Sequence, residues 1–306
     1  MDLGFSKVYL NLWGVNGKNM YSEEDFPLKP ISLSDEQLRK LQMKSLEILV
    51  YFKKFCEYHG LLFYLCGGCC IGAIRHKGFI PWDDDVDVFM PRKDYEKLPI
   101  LWEKYADKEK YSCLRTNKNE FIGNVMTTIV DNQTEVIRPW QKGKDGHKGV
   151  MMDVLPLDGC APRGIKRKMQ MIYSMIFSLY CSKMVPVNHG KLVSAVSKFL
   201  LSIVPGDNLK YKIWKFAEKQ MSKYEISDSK YITELCAGPH YMKNEYPKEI
   251  FDSAVFKEFE GLLMPLPVGY DSYLKIAFGD YMKLPPEEKR KAHHDIVYMN
   301  LENYGG

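Results

Sequence analysis

Residues 64–91, YLCGGCCIGAIRHKGFIPWDDDVDVFMP, decide how the rest of the chain is read. A glycine pair, Gly67-Gly68, follows an apolar run, and an acidic cluster, Asp85-Val86-Asp87-Val88, opens a second one. Side chains alternate along a strand, so Asp85 and Asp87 share a face, about 6–7 Å apart. Each carboxylate raises the other's pKa, which makes the pair costly to bury. A divalent cation removes that cost, and hard ions such as Mg²⁺ take carboxylate oxygens while keeping positions open for phosphate. A calcium loop fails further along. Asp83, Asp85 and Asp87 fit D-x-D-x-D, but the positions where an EF-hand needs glycine and glutamate hold Val88 and Asp94. A solvated acidic turn would not interleave its acids with Val86, Val88, Phe89 and Met90. The segment reads as a metal–phosphate site.

Around it the elements follow from periodicity and punctuation. Ser34-Asp35-Glu36-Gln37 is a capping box, and apolar residues at helical spacing predict a helix over 35–59 that Gly60 ends. Strands are expected at Leu61–Cys66 and Asp85–Met90, with a short helix through Cys70–Arg75 between them. A helix over Arg92–Tyr105 follows, then strands at Tyr111–Thr116, Val125–Asp131 and Val150–Leu155, the last closed by Pro156 and Gly159. From Lys166 the pattern turns helical, over 166–183, 191–203 and 208–223, with Pro186 and Pro205 as breaks. The tail from Glu245 is mixed, with turn signals at Pro265, Pro267 and Pro285-Pro286. This order predicts an α/β (α+β) fold: a mixed sheet core with a helical second half packed against it. The boundaries are an N-terminal extension over 1–33, a catalytic core over 34–160 and a mostly helical region over 161–306 that completes the cleft.

A chain of 306 residues, 45% of them hydrophobic, is long enough for one large core or two modest ones. The net charge of +4 suits an anionic substrate or membrane surface and lacks the basic stripe of a nucleic-acid binder. Neither a secretory signal nor a run of about 18 apolar residues is expected, so the protein is placed in the cytoplasm. The eight cysteines sit mostly in apolar runs and read as buried free thiols. Cys66-Gly67-Gly68-Cys69 spells C-x-x-C without the second half that zinc would need.

Asp153 is a third acid inside an apolar strand, and such a residue must be paired or bind metal. With Asp85 and Asp87 it makes a ligand set for one or two Mg²⁺ (or Mn²⁺) ions, the arrangement used for in-line phosphoryl displacement; a salt bridge is its alternative role. Gly67 and Gly68 let the backbone approach a phosphate closely. Arg75, His76 and Lys77 can neutralise phosphate charge, or form an exposed basic loop. His293-His294, preceded by Lys289-Arg290-Lys291, is a second basic group. Residues Ile165–Val187 place Lys166, Arg167 and Lys168 before an uncharged run, which fits either a core helix or peripheral contact with an anionic membrane.

The order of apolar strand, glycine pair, acid–apolar–acid–apolar run and later strand acid resembles the nucleotidyltransferase-fold superfamily. More sharply, GGCCIGAIRHKGFIPWDDDVDVFMPRKDYEKL (67–98) resembles the signature of the LicD family, the phosphocholine-transferase-like proteins related to the fukutins. The likeness continues through MDVLPLDG (152–159), FEGLLMPLPVGYDSYL (259–274), FGDYMKLPP (278–286) and KRKAHH (289–294), and is thin over 165–245. The resemblance implies Asp85 and Asp87 as the metal pair, Asp153 as third acid and general base, and Gly67-Gly68 as the nucleotide-phosphate loop. It implies transfer of a phospho-alcohol group from a CDP-linked donor, such as CDP-choline, to a hydroxyl of a glycan or lipid-linked glycan acceptor of the cell surface (teichoic acid or lipopolysaccharide). An enzyme that transfers the nucleotide itself and a silent glycan-binding protein are the alternatives. Cys69 departs from the pattern, because the family usually has a small hydroxyl residue after the glycine pair.

Overall fold

The computed structural model describes residues 30–139, 147–185, 191–292 and 294–302. Most of the expected N-terminal extension, Pro186 and His293 lie outside these residues. Helix α1 (Asp35–His59) starts on the capping box: the Ser34 hydroxyl accepts from the Gln37 N–H, and the Gln37 side chain accepts from the Ser34 N–H. Gly60 ends it in the left-handed conformation, φ 64°. The buried face, including Ile48, Leu49, Phe52 and Cys56, packs on the central sheet.

Strand β1 (Tyr64–Leu65) is shorter than expected, for two local reasons. The Leu62 N–H donates to the Asp94 carboxylate rather than to a neighbouring strand, and Cys66 already caps helix α2 (Gly67–Arg75). Strand β2 (Asp87–Pro91) begins two residues later than expected, after a turn in which the Asp83 N–H donates to the Ile80 carbonyl. Helix α3 (Arg92–Tyr105), strands β3 (Tyr111–Leu114), β4 (Thr127–Asp131) and β5 (Glu135–Ile137) follow, then the long strand β6 (Met151–Gly159). The sheet order is β1-β2-β6-β4-β3, with β2 and β6 parallel and the other pairings antiparallel. Val88, Phe89 and Met90 are all fully buried, as strands covered on both faces require. Pro156 does not close β6. It stays opposite Met90 in the parallel ladder, and beyond it β6 pairs with β7 (Tyr231–Thr233) through Asp158 and Gly159.

The helical half is α4 (Ile165–Ser182), α5 (Lys191–Ile203), α6 (Asp207–Met221) and the short α7 (Gly238–Tyr241). It has a core of its own around Phe177, Tyr180, Trp214 and Met221. Arg92 grips Asp158 with two bonds of 2.7 Å inside the first half, and Arg115 ties the halves together by bridging Glu96 and the buried Glu218 at 2.8 Å each. After β8 (Tyr246–Pro247) comes a hairpin, β9 (Ala254–Phe259) and β10 (Leu262–Pro267), then α8 (Tyr270–Phe278) and β11 (Tyr298–Asn300), which pairs with β5. Pro265 and Pro267 read as turns in the sequence, yet a two-stranded hairpin has a free edge that tolerates them. Its turn, Glu260-Gly261, holds both residues at positive φ (52° and 73°). Glu260 accepts from the Arg39 guanidinium and the Phe79 N–H at 3.0 Å each, so the hairpin tip braces the loop leading to the acids. The eight cysteines are free thiols, seven of them buried.

Candidate metal and phosphate site

The strand register builds the site. Asp87 opens β2 directly beside Asp153 of parallel β6, and the Asp153 N–H donates to the Val86 carbonyl at 3.0 Å. Asp83, Asp84 and Asp85 occupy the lead-in to β2, where each offers a carboxylate oxygen within 4.8 Å of the others. This triple is the converging group among the described residues; Asp87 and Asp153 flank it through Asp85. Of the three expected ligands, Asp85 belongs to this triple, while Asp87 and Asp153 sit opposite each other in the ladder.

Each acid is held by a different element. The Thr128 hydroxyl of β4 donates to Asp153 Oδ1 at 2.7 Å, and the Asn124 amide donates to Thr128 at 2.8 Å. Asp84 accepts from both the backbone N–H and the Nδ1 of His294 at 3.0 Å, a bond from 210 residues away. This leaves His294 Nε2 at 4.0 Å from Asp85 Oδ2. Asp85 Oδ2 is buried and accepts no hydrogen bond, although 14% of its side chain stays exposed.

The electrostatics show what these acids lack. Burial and then the neighbouring Asp84 push Asp83 up to about 8. Burial followed by Asp83 holds Asp85 well above the carboxylate range, and burial followed by Asp85 and Asp153 does the same to Asp87. Burial also raises Asp153, opposed by the Thr128 bond and the charges of Arg138 and His294. For His294 burial acts downward, but the Asp84 charge and hydrogen bond and the Asp85 charge outweigh it, so its pKa rises. Hard oxygen donors, crowded, desolvated and partly without hydrogen bonds, fit a divalent cation such as Mg²⁺ or Mn²⁺.

The glycine pair sits at the start of α2, where Gly67 takes φ 52°. The Gly67 N–H donates to the Tyr273 hydroxyl at 3.0 Å. A Cβ on Gly68 would lie 2.2 Å from Asp83 Oδ2, so the acid-bearing loop rests against this glycine. Cys69 does not line the loop with its thiol; Sγ donates to the Asp85 backbone carbonyl at 3.7 Å and so ties α2 to the acids. Arg75 bonds His76 at 2.9 Å and the Tyr281 carbonyl at 2.8 Å, which leaves its buried Nη2 without a hydrogen-bond partner. His76 is half-buried with its ring 6.4 Å from that of Trp82, while exposed Lys77 turns to Glu258 at 3.4 Å. The structure thus brings Asp85 together with Asp83 and Asp84, sets Asp87 beside Asp153, and places Gly68 and His294 against the acids, with Arg75 electrostatically linked to Asp83; the bonds of Lys77 lead to the hairpin.

Sequence reading missed four members. Asp83 and Asp84 looked like further acids in a run. Thr128 had a signal, being one of two threonines in a fully buried strand. Arg138, buried and electrostatically linked to Asp84, Asp153 and Asp85, had none.

The comparisons with known proteins agree with this geometry. The family model described as "LicD/FKTN/FKRP, nucleotidyltransferase domain" matches residues 60–165, the stretch that carries every acid of the site. The lipopolysaccharide cholinephosphotransferase LicD of Haemophilus influenzae is 32% identical over 269 residues, covering 84% of this chain and 96% of that protein. An uncharacterized protein of Rickettsia prowazekii is 33% identical over 115 residues, 30% of this chain and 43% of that protein. The chain therefore belongs to the LicD family of the nucleotidyltransferase-like superfamily.

Proposed function

We propose that this chain is a divalent-metal-dependent phosphotransferase that moves a phospho-alcohol group, phosphocholine or a similar one, from a CDP-linked donor to a hydroxyl of a cell-surface glycan precursor. The observation that carries the reading is the parallel register of Asp87 beside Asp153, with the buried, unbonded Asp85 Oδ2 next to them. The name of the Haemophilus relative, a lipopolysaccharide cholinephosphotransferase, supports the choice of donor and acceptor class.

Asp85, Asp87 and Asp153 hold the metal, with Asp83 and Asp84 extending the acidic set. When bound there, Mg²⁺ or Mn²⁺ supplies positive charge for the donor's diphosphate oxygens. Thr128 fixes Asp153 through Oδ1, which leaves Oδ2 to take the proton of the attacking hydroxyl. His294 is oriented by Asp84 through Nδ1 and presents Nε2 toward the acids, where it can donate to a phosphate oxygen. The free Nη2 of Arg75 is a second donor for the same group, and the α2 N-terminus at Gly67-Gly68 is favourable to its negative charge. In this reading residues 34–160 form the catalytic unit and 161–306 complete its cleft, working at the cytoplasmic side of the membrane.

A thermal-shift screen of CDP-choline, CDP-ribitol, CDP-glycerol and CTP with Mg²⁺ tests this reading, because a ligand of the native state raises its melting temperature. One CDP-linked alcohol should raise it more than CTP does. A response to CTP alone would instead favour transfer of the nucleotide.

A further inference from the structure

Two helices of the second half turn apolar faces outward. Leu192, Val196, Phe199 and Ile203 recur at helical spacing along α5, and all are exposed, Leu192 by 77% and Phe199 by 62%. Another side of α5 is the one that packs: Leu200 and Leu201, with Val204 just past its end, rest on the helical core, and the Tyr180 hydroxyl of α4 bonds the Leu200 carbonyl at 2.9 Å. Along α4, Ile165, Met169, Ile172 and Met175 form a second exposed stripe. A folded protein seldom leaves such faces to water without a partner.

The surrounding charge says which partner. Residues 165–221 contain ten lysines and arginines against two acids, whereas the whole chain nets only +4. Both acids are already engaged. Asp207 pairs with Lys183 at 2.7 Å, and Glu218 lies buried between Arg115 and Lys215. Lys166, Lys168, Lys198, Lys212 and Lys219 have no acidic partner among the described residues. A second copy of the chain would bring these cations against one another in a two-fold interface. An anionic surface would not.

We propose that α5 and the outer stripe of α4 form an interfacial docking surface for an anionic phospholipid bilayer. The helix α5 is about 20 Å long by the rise of an α-helix, and it lies along the surface with its apolar stripe among the acyl chains and Lys198, with Lys166 and Lys168 of α4, at the headgroups. No described helix is long and apolar enough to cross a membrane, so attachment is peripheral in this region. Arg167, expected with Lys166 and Lys168 at a lipid face, is the exception. Arg167 is buried, bonding Gln170, Thr233 and the Met242 carbonyl, so it supports the fold and touches no lipid. This surface is independent of the proposed reaction.

Flotation of the intact protein with phosphatidylglycerol–phosphatidylcholine vesicles tests it. Wild type should float at low salt, and should bind pure phosphatidylcholine vesicles at least about tenfold more weakly, since each lysine near an anionic surface adds roughly fivefold. Leu192→Ser with Phe199→Ser should weaken binding at least about tenfold while the melting temperature and the wild-type sedimentation stay unchanged. Lys166→Glu with Lys168→Glu and Lys198→Glu should abolish the preference for anionic lipid. The proposal is overturned if wild type stays unbound from anionic vesicles at low salt, or if the serine variant binds as well as wild type. It is equally overturned if wild type is a dimer that the serine variant splits, because the face then belongs to a second copy.

Discussion

Asp83→Asn is expected to stabilise the metal-free protein and to weaken its response to metal. Asp83 is 3% exposed, and its carboxyl is pushed up to about 8 from 3.8 by burial and by Asp84. The folded state therefore holds a proton that the unfolded chain releases, so stability falls as pH rises from 3.8 and levels off above about 8. At about 1.4 kcal/mol per pKa unit, the wild-type carboxyl costs the metal-free fold up to about 4 kcal/mol near pH 7. Asparagine keeps the shape and cannot ionise, but its amide needs partners of its own, so the net gain should be about 1–3 kcal/mol. That corresponds to a rise of several degrees in melting temperature. Thermal unfolding in EDTA across the pH range is the assay. The variant should be somewhat less stable than wild type around pH 4, where only the cost of its amide remains, and the difference should swing in its favour toward pH 8. In Mg²⁺ or Mn²⁺ the order should reverse, because the cation relieves the wild-type carboxylates and finds one fewer in the variant. A variant with the same pH slope as wild type, or with an undiminished metal response, would refute the reasoning.

Asp87→Asn should cut turnover at least about a hundredfold while the fold survives in EDTA, since it removes charge without volume; steady-state rates and circular dichroism check this together. Thr128→Val should lower activity about 10–100-fold by freeing Asp153 from its orienting bond, with little change in donor affinity. Asp158→Asn leaves the buried Arg92 guanidinium without its bidentate partner and should destabilise the protein by about 3–5 kcal/mol, read from the urea midpoint.

The fold was legible where one local signal dominated. The capping box and Gly60 bracketed α1, and the helical periods of the second half placed α4, α5 and α6 within two residues of their ends. Legibility failed where side chains compete with the ladder. Asp94 draws Leu62 out of β1, and Pro265 and Pro267 hide a strand that an edge position permits. At the site, Asp85, Asp87 and Asp153 stand out because acids in apolar strands are costly to bury. The Asp84–His294 bond spans 210 residues and depends on how the C-terminal segment returns to the sheet. Arg138 follows β5, whose partner β11 comes near the end of the described chain, so its nearness to the acids is purely tertiary.

The fate of label from a CDP-linked donor tests the central claim most directly. Wild-type protein is incubated with Mg²⁺, a glycan-precursor acceptor fraction and CDP-choline, with CDP-ribitol and CDP-glycerol in parallel, labelled separately in the alcohol and the cytidine. For one of these donors the account predicts alcohol label on the acceptor, free CMP in equal amount, and neither with Asp87→Asn. Cytidine label on the acceptor, or label transfer by Asp87→Asn at the wild-type rate, would contradict it.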